Sequence, residues 1–311
     1  MDAESEFHPD MAPMIATRRK MPPAKTPAEM KEAWKFYSGA MTIPRPAEIR
    51  TEDRKIPTAD HEVPVRFYYP PGATGPLPFL MYMHGGGWMM GDLDSSDTQA
   101  WGLCQGTGAI VVSVDYRLTP DHPYPAAFND CYGVLEWIGK HGAEVGGDPS
   151  RIAVCGESAG GNLTAAVVLA ARDRNGPAVR AQAIIYGCTG EDPTLPSYVE
   201  HGENISLTTA RMKMFSDLYF SGSKYADDPY AAPAKAKDFT NLPPAFVHHA
   251  ECDPLRDDGR HYASKLALAG NDVTYREPKR MLHGFLRVWR DGPTVHQEYL
   301  ALCDFLKKHL A

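Results

Sequence analysis

The sequence holds 311 residues, of which 23% are charged and 43% hydrophobic, and its formal net charge is −7 with an isoelectric point near 5.9. This balance is typical of a globular protein with a large core and excludes an intrinsically disordered chain. The acidic charge and the lack of a basic stripe argue against a nucleic-acid partner, which needs clustered Lys and Arg to displace counterions. No apolar run approaches the ~20 residues that a membrane-spanning helix needs.

The cysteines and the first residues together indicate a compartment. Six cysteines are scattered along the chain, none of them in a CxxC pair and most of them in apolar runs. This pattern predicts buried free thiols in a reducing environment. The first ten residues carry four acids and no apolar segment, so we expect no secretory signal peptide. A cytoplasmic location is the resulting prediction.

The predicted elements begin with residues 1–28, which are rich in Pro, Met and charge and are expected to form a loosely packed arm. Residues 28–40 then place Met30, Trp34 and Tyr37 on one face of a short helix. From about residue 51 strands follow, and residues 63–69 alternate in hydrophobicity as an antiparallel edge hairpin does. Unbroken apolar runs predict parallel strands that are buried on both faces, at residues 79–83, 109–114, 152–155, 181–186 and 245–249. A last strand is predicted at residues 273–277.

Helical stretches lie between most of these strands, and their alternation indicates an α/β fold with a mostly parallel sheet. Almost sixty residues, with a helix at 208–220, separate the strand ending near Tyr186 from the next. An insertion of this length is typical of a lid or cap, which could roof an active site together with the N-terminal arm. We predict helices at 95–106, 126–141, 159–172, 259–269 and 295–310. The predicted domain organisation is an N-terminal arm with cap helices at 1–50, a catalytic domain at 51–187 and 241–311, and a cap insertion at 188–240.

The pentapeptide Gly156-Glu157-Ser158-Ala159-Gly160 follows a predicted buried strand and begins a helix rich in Ala, Leu and Val. In this context a G-x-S-x-G sequence predicts a nucleophilic serine on a sharp turn between strand and helix. The strained turn needs small neighbours, which Gly156 and Gly160 supply. It also lifts the hydroxyl above the sheet at a helix N-terminus, which favours negative charge. The alternative is a glycine-rich turn with an incidental serine.

The second motif is His-Gly-Gly-Gly-Trp at residues 84–88, directly after a predicted strand. Consecutive glycines let the backbone turn its amides toward a substrate, and such a run after the third strand predicts an oxyanion loop. Hydrolysis of an ester passes through a tetrahedral intermediate with a negatively charged oxygen, the oxyanion. We expect the amides of Gly86, Gly87 and Ala159 to bind it, and removal of one such donor typically raises the activation barrier by about 3 to 4 kcal/mol. His84 is interpreted as an anchor of the loop and not as a base. A flexible glycine loop is the alternative.

A nucleophilic serine needs a base, and the base needs an acid that orients it. In α/β folds that carry a nucleophilic serine on such a turn, the acid and then the histidine follow the serine along the chain. His283 fits as the base because it lies in a loop just after a predicted strand, with a glycine behind it that leaves room for the ring. His248 and His249 fall within a predicted buried strand and are expected to be core residues.

Asp253 is the candidate acid because it follows the predicted strand at 245–249 and faces the same sheet edge as the serine. Its rivals Asp257 and Asp258 are expected to begin and cap the next helix.

At these motifs the chain resembles the hormone-sensitive lipase family of α/β-hydrolases, also called the bacterial family IV esterases. The resemblance implies a mostly parallel eight-stranded central sheet flanked by helices, with a helical cap. It implies a catalytic triad of Ser158, Asp253 and His283 and oxyanion donors at Gly86, Gly87 and Ala159. The matching segments cover roughly residues 55 to 310 and are 84–88 with 91–92, 115–118 with 122–126, 146–162, 253–255 and 283–285.

The chain departs from the family pattern at two positions. Glu157 stands where the family commonly has Asp, which keeps the charge and is expected to alter loop packing only. Tyr186 is followed by Gly where the family often has Pro, which bears on the pocket wall and the entry to the cap.

The expected function is hydrolysis of short- to medium-chain carboxylic esters through an acyl-enzyme intermediate, without a metal or organic cofactor. The bulky residues Trp88, Tyr186 and Phe285 are expected to bind substrate and narrow the acyl pocket, with core packing as their alternative role. The same triad also fits an amidase or a lactonase, and a non-enzymatic small-molecule receptor is a remote alternative. As partners we expect a small-molecule ester, neither nucleic acid nor a membrane span, and we leave a homodimer open.

Overall fold

One eight-stranded sheet forms the centre of the fold in the computed structural model, which describes residues 6–72, 74–190, 192–221, 225 and 227–311. The strands are β1 (Arg50–Pro57), β2 (Glu62–Tyr69), β3 (Leu77–Met83), β4 (Ile110–Val114), β5 (Gly147–Glu157), β6 (Val179–Ile185), β7 (Ala245–His248) and β8 (Val273–Arg276). Their spatial order is β1-β2-β4-β3-β5-β6-β7-β8. β2 is antiparallel to β1 and β4, and every other neighbouring pair is parallel. The mostly parallel eight-stranded sheet expected from the sequence is confirmed.

The unbroken apolar runs follow from helices that cover both faces of the sheet. Successive side chains of a strand point to opposite faces, so a strand covered on both faces is apolar at nearly every position. β4 is an example: Ile110, Val112 and Val114 belong to one hydrophobic cluster, while Val111 belongs to the other. The helices are α1 (Ala12–Arg19), α2 (Pro27–Met41), α3 (Asp97–Thr107), α4 (Ala126–His141), α5 (Ala159–Asp173), α6 (Pro196–Glu200), α7 (Thr209–Tyr219), α8 (Arg256–Leu268) and α9 (Pro293–Leu310).

The expected loosely packed arm at residues 1–28 is wrong for the part that the structure describes. Met11 and Met14 are fully buried in the hydrophobic cluster that also contains α9 side chains. The Asp10 carboxylate accepts hydrogen bonds from the amides of Thr294 (2.8 Å) and Val295 (3.1 Å) in the first turn of α9. The arm is therefore tied to the body by apolar burial and by capping of another helix. Residues 1–5 lie outside the described residues.

The long segment between β6 and β7 packs over the sheet edge where the parallel strands end. It contains α6 and α7, and Thr208 caps α7 by accepting a hydrogen bond from the Arg211 amide at 3.2 Å. The Tyr219 ring stacks on Trp88 at 4.3 Å between centroids, with the two planes only 3° apart. This contact joins the insertion to the loop after β3.

The cysteines behave as the sequence predicts, because all six are free and buried. Burial raises the pKa of the Cys104 thiol to about 12, which keeps it protonated and unreactive. Across the described ranges, none of the helices combines the length and the hydropathy that crossing a membrane requires.

Candidate active site

Ser158 lies on the sharp turn that the sequence predicts, between β5 and α5. Its backbone is in a strained region, with φ 54° and ψ −114°, and its amide donates to the Ile185 carbonyl at 2.8 Å. The turn packs tightly against the loop after β3: a Cβ on Gly160 would lie 2.0 Å from the Met83 carbonyl oxygen. Glycine is required there because any side chain would push the turn away from β3.

His283 and Asp253 meet Ser158 in one hydrogen-bonded chain. The Ser158 Oγ and His283 Nε2 atoms are 3.0 Å apart, and His283 Nδ1 and Asp253 Oδ2 are 2.7 Å apart. The other carboxylate oxygen of Asp253 accepts from the Leu255 amide at 2.9 Å. Asp253 is fully buried, whereas His283 is 7% exposed toward the cleft. The structure thus brings together the three residues that the sequence singled out.

The loops after β7 and β8 lie side by side, which brings Asp253 and His283 together. The Cys252 amide donates to the Met281 carbonyl at 3.0 Å, and Cys252 pairs in parallel with Leu282 as an isolated bridge. Asp253 directly follows Cys252, and His283 directly follows Leu282. A short extension of parallel pairing beyond the sheet therefore fixes the distance between the two side chains.

The rival acids and histidines have other partners. Asp257 lies in the first turn of α8 and accepts from Arg256 at 3.0 Å and from the Ser197 amide at 3.0 Å. His248 lies 3.0 Å from Glu298, and His249 lies 3.1 Å from the Gly187 carbonyl. Burial lowers the pKa of His249 to about 4, so its ring stays neutral and structural.

Gly86 and Gly87 form the part of the loop after β3 that faces Ser158. The Gly86 carbonyl accepts hydrogen bonds from the amides of Met89 (3.2 Å) and Met90 (2.9 Å). In a trans peptide the N–H points opposite to the C=O, so the Gly87 amide is directed away from that turn. Ala159 is the first residue of α5, and its amide has no carbonyl partner inside the helix.

His84 anchors this loop, as the sequence predicts. Its Nδ1 lies 2.9 Å from the Gly85 carbonyl, and its ring stacks on Tyr116 at 4.3 Å between centroids. The Tyr116 hydroxyl donates to the His84 carbonyl at 2.7 Å. Burial lowers the pKa of His84 to about 4, which removes it as a base at neutral pH.

Comparisons with known proteins agree with this geometry. The sequence profile of a family described by its α/β-hydrolase fold matches residues 80–287. The chain belongs to the α/β-hydrolase family. The carboxylesterase NlhH of Mycobacterium tuberculosis is 44% identical over 244 residues, which are 77% of this chain and 76% of that protein. An ethyl acetate hydrolase of Pseudomonas putida is 34% identical over 264 residues, covering 83% of this chain and 82% of the hydrolase.

Solved structures extend the likeness to nearly the whole chain. The crystal structure of a thermostable esterase from Pseudomonas putida ECU1011 superposes with a TM-score of 0.92 at 32% identity, and 97% of each chain is covered. The match includes the segments before residue 80, where the family profile has not yet begun. The resemblance that the motifs indicate is thus confirmed for an α/β-hydrolase with esterase relatives.

In this α/β-hydrolase a cavity of about 80 Å³ opens beside Ser158 and His283. This volume is small against the 300 to 1,000 Å³ of most ligand pockets. The loops at the sheet edge that carry Ser158 and His283 form the floor of the cavity. The roof comes from the N-terminal helices and the insertion, and its side chains are those of Arg18, Met21, Ala24, Met30, Ala33, Trp34, Ser206, Leu207, Arg211 and Phe215.

Of the three residues expected to bind substrate, only Tyr186 lines this cavity. Its ring meets the His283 imidazole edge-on, with 4.8 Å between centroids. Trp88 and Phe285 are corrected to the core role that was their alternative. Trp88 is 1% exposed and stacks on Tyr219, and Phe285 is fully buried beneath Tyr186. Both side chains lie behind the residues that line the cavity, because the glycines of the loop after β3 and Tyr186 form its lining.

Glu157, the neighbour of the serine, forms a buried ion pair with Arg287 across 4.0 Å. Burial raises the pKa of Glu157, and the positive charge of Arg287 opposes that rise. The Arg287 guanidinium lies 4.8 Å from the centroid of the Trp34 ring and donates to the Ser95 carbonyl at 3.3 Å. The acid at position 157 thus links the serine turn to α2, a role beyond the packing of its own loop.

Sequence reasoning missed the roof residues Arg18, Arg211 and Phe215. Phe215 packs closely against the glycine loop after β3, since a Cβ on Gly87 would lie 2.6 Å from its ring. No local motif marks these residues. The amphipathic pattern that predicts α2, with Met30 and Trp34 on one face, is the sequence signal that points to the roof.

Proposed function

We propose that this α/β-hydrolase is a serine carboxylesterase acting on short- to medium-chain esters. The observation that carries the proposal is the hydrogen-bonded chain from Ser158 through His283 to Asp253, with distances of 3.0 Å and 2.7 Å, on a strained turn beside a small cavity. The esterase names of its relatives support the same chemistry. A nucleophile, a base and an orienting acid in this order are what acyl transfer requires.

In the first half of the reaction, Ser158 Oγ attacks the ester carbonyl carbon while His283 Nε2 takes the hydroxyl proton. Asp253 holds the imidazole so that Nε2 is the free base, and it stabilises the imidazolium that forms. The amides of Gly86, Gly87 and Ala159 donate to the oxyanion of the tetrahedral intermediate. The imidazolium then gives its proton to the leaving alcohol as the C–O bond breaks, which leaves an acyl group on Ser158.

In the second half, a water molecule gives its proton to His283 and attacks the acyl carbon. A second oxyanion forms and is bound by the same amides. Its collapse breaks the bond to Ser158 Oγ, which takes the proton back from His283. The acid product leaves, and the site returns to its starting state.

We further propose that residues 1–50 and 188–240 act as a cap over this site. Side chains from both segments line the cavity, and a roof that excludes water strengthens the hydrogen bonds to the oxyanion. The small volume favours short acyl chains over long ones. The six buried free thiols favour a reducing compartment such as the cytoplasm.

The test is hydrolysis of 4-nitrophenyl esters from acetate to palmitate by wild type and by Ser158→Ala. We expect wild-type activity to peak at short chains and the variant to lose about 10⁶-fold in kcat. Ser264→Ala, which removes an exposed hydroxyl on α8, is the matched control and is expected to keep wild-type activity. Near wild-type turnover by folded Ser158→Ala would overturn the proposal.

A further inference from the structure

The cavity beside Ser158 is unusually cationic for an acidic protein. Among the described residues three arginines line it, Arg18, Arg211 and Arg287, against a single carboxylate, that of Glu157. The chain as a whole carries a formal charge of −7. A concentration of positive charge against this background needs a local reason, because like charges in a partly apolar cleft repel each other.

Arg287 is accounted for by the protein itself. It pairs with Glu157 at 4.0 Å, and its guanidinium rests 4.8 Å from the centre of the Trp34 ring. Both members of the pair are at most 5% exposed. This charge is neutralised in place, and the excess belongs to the two other arginines.

Arg18 and Arg211 lack a carboxylate partner of this kind among the described residues. Neither forms an ion pair with a carboxylate of the described residues, and the Nε of Arg18 is buried without a hydrogen-bond partner. A buried donor left unsatisfied costs about 1–3 kcal/mol. Burial lowers the pKa of Arg211, and the nearby charge of Arg18 lowers it further. The two like charges therefore repel each other across this part of the roof.

The Arg18 guanidinium packs on an aromatic ring of α2. One face lies over the Tyr37 ring at 4.4 Å, a cation–π contact that uses the face of the group. The N–H groups lie in the plane of the guanidinium and remain the donors with which arginine binds a carboxylate in bidentate fashion. Arg18 comes from α1 and Arg211 from α7, so an anion between them would also join the two halves of the roof.

We propose that the substrate is an ester that carries a carboxylate remote from its scissile bond, held by Arg18 and Arg211 while Ser158 attacks the ester carbonyl. The proposal rests on the proposed esterase function and names the substrate class of that site. A carboxylate supplies the missing hydrogen-bond acceptor and the missing negative charge at once. The carboxylate is carried by either the acyl chain or the alcohol, and the two sources call for separate probes.

The experiment compares kcat/KM for two pairs of esters that differ in charge. Mono-(4-nitrophenyl) adipate against 4-nitrophenyl hexanoate tests an anionic acyl chain, and 4-acetoxybenzoate against its methyl ester tests an anionic alcohol. Each pair is run on wild type and on Arg18→Gln/Arg211→Gln. The charge-matched control is Lys20→Gln/Lys213→Gln, since both lysines are exposed, lie at α1 and on α7, and line no part of this cavity.

We expect wild type to prefer the anionic ester of one pair by about tenfold or more, mainly through KM, as a charge-assisted hydrogen bond implies. The arginine double variant is expected to lose that preference, measured as the ratio of kcat/KM for the anionic ester over the neutral one. The lysine double variant is expected to retain both. Raising the salt concentration is expected to weaken the preference in wild type, because Arg211 is exposed to water.

No preference for the anion in either pair, or a preference that survives loss of both arginines, overturns the proposal while leaving the esterase function intact. If wild type hydrolyses none of the four esters, the esterase function fails instead, and calorimetric titration of Ser158→Ala with adipate decides the binding site. Binding that is about tenfold weaker when both arginines are also replaced supports the anion site. Equal binding, or none, overturns it.

Discussion

The floor and the roof of the cavity are built on different principles. On the floor, backbone geometry decides which residues fit: Ser158 stands on a strained turn, and Gly160 behind it has no room for a Cβ. On the roof, side chains of α1, α2 and α7 meet from segments far apart in the sequence. The Phe215 ring, for example, packs against Gly87 in the loop after β3.

This difference separates catalysis from specificity. A position fixed by backbone contacts tolerates few residue types, so a change there removes the reaction. A position fixed by side-chain packing accepts other residues of similar size, so a change there alters which substrates fit. We therefore expect floor variants to lose turnover and roof variants to change the preference among substrates.

The largest expected effect tests the floor through Asp253→Asn. The amide offers an N–H where the carboxylate accepts one from His283 Nδ1, which favours the wrong imidazole tautomer. We expect kcat on 4-nitrophenyl butyrate to fall about 10⁴-fold, with KM nearly unchanged. The measurement is steady-state hydrolysis by wild type and variant at neutral pH.

Asp257→Asn is the matched control, because the same chemical change is made four residues along the chain. Asp257 is bound by Arg256 at 3.0 Å and Arg260 at 3.1 Å and does not contact His283. We expect it to lower the free energy of unfolding by about 1–3 kcal/mol and to leave kcat within about threefold. Similar losses of kcat in both variants would contradict the assignment of Asp253.

The floor is also the part that the sequence predicts well. The strand before Gly156, the glycines around Ser158 and the order of Asp253 and His283 are local patterns, each imposed by a turn or a strand end. The five strands β3 to β7 follow from apolar runs for the same reason, since a strand buried on both faces is apolar at nearly every position. Such constraints act within a few residues and leave a trace in the sequence.

The roof could not be predicted in this way, because its contacts join residues nearly two hundred positions apart. Arg18 and Arg211 meet only in the folded chain, and nothing near either one indicates a shared cavity. Prolines and charges in the first 28 residues predict a loose arm, yet burial of Met11 and Met14 outweighs that composition. Trp88 was misassigned because its motif fixes its position but not the layer into which its side chain points.

A smaller effect tests the roof through Phe215→Ala. Removing the ring next to Gly87 enlarges the cavity, so we expect longer acyl chains to gain relative to short ones. The ratio of kcat/KM for octanoate over butyrate esters should rise about tenfold, as expected for burying two further methylene groups at about 0.8 kcal/mol each. The free energy of unfolding should fall by about 3 kcal/mol.

Phe220→Ala separates the loss of roof shape from the loss of stability. Phe220 packs against Trp88 with 5.8 Å between ring centroids and lines no part of this cavity. We expect a similar loss of stability with no change in the chain-length ratio. A rise in that ratio in both variants, or in neither, would show that the roof does not set acyl length through Phe215.

The smallest effect concerns Asp115, a carboxylate that follows β4 just as Asp253 follows β7, but without a histidine to orient. Burial, together with the negative charges of Asp92 and Asp94, raises its pKa from 3.8 to about 6. The folded state therefore holds the Asp115 proton more tightly than the unfolded state does. This contribution to stability is fully present below pH 3.8 and is lost as the pH rises through about 6.

Asp115→Asn removes that titration and tests whether a strand-end carboxylate matters for more than stability. Relative to wild type, we expect the variant to gain about 1–2 kcal/mol in free energy of unfolding between pH 4 and pH 7.5, after allowance for its partial exposure. Urea denaturation at the two pH values measures this gain. Turnover at pH 7.5 should stay within about twofold, because Asp115 does not line the cavity. A large loss of turnover would contradict the comparison. It would mean that a carboxylate at the sheet edge affects catalysis even when it does not contact His283.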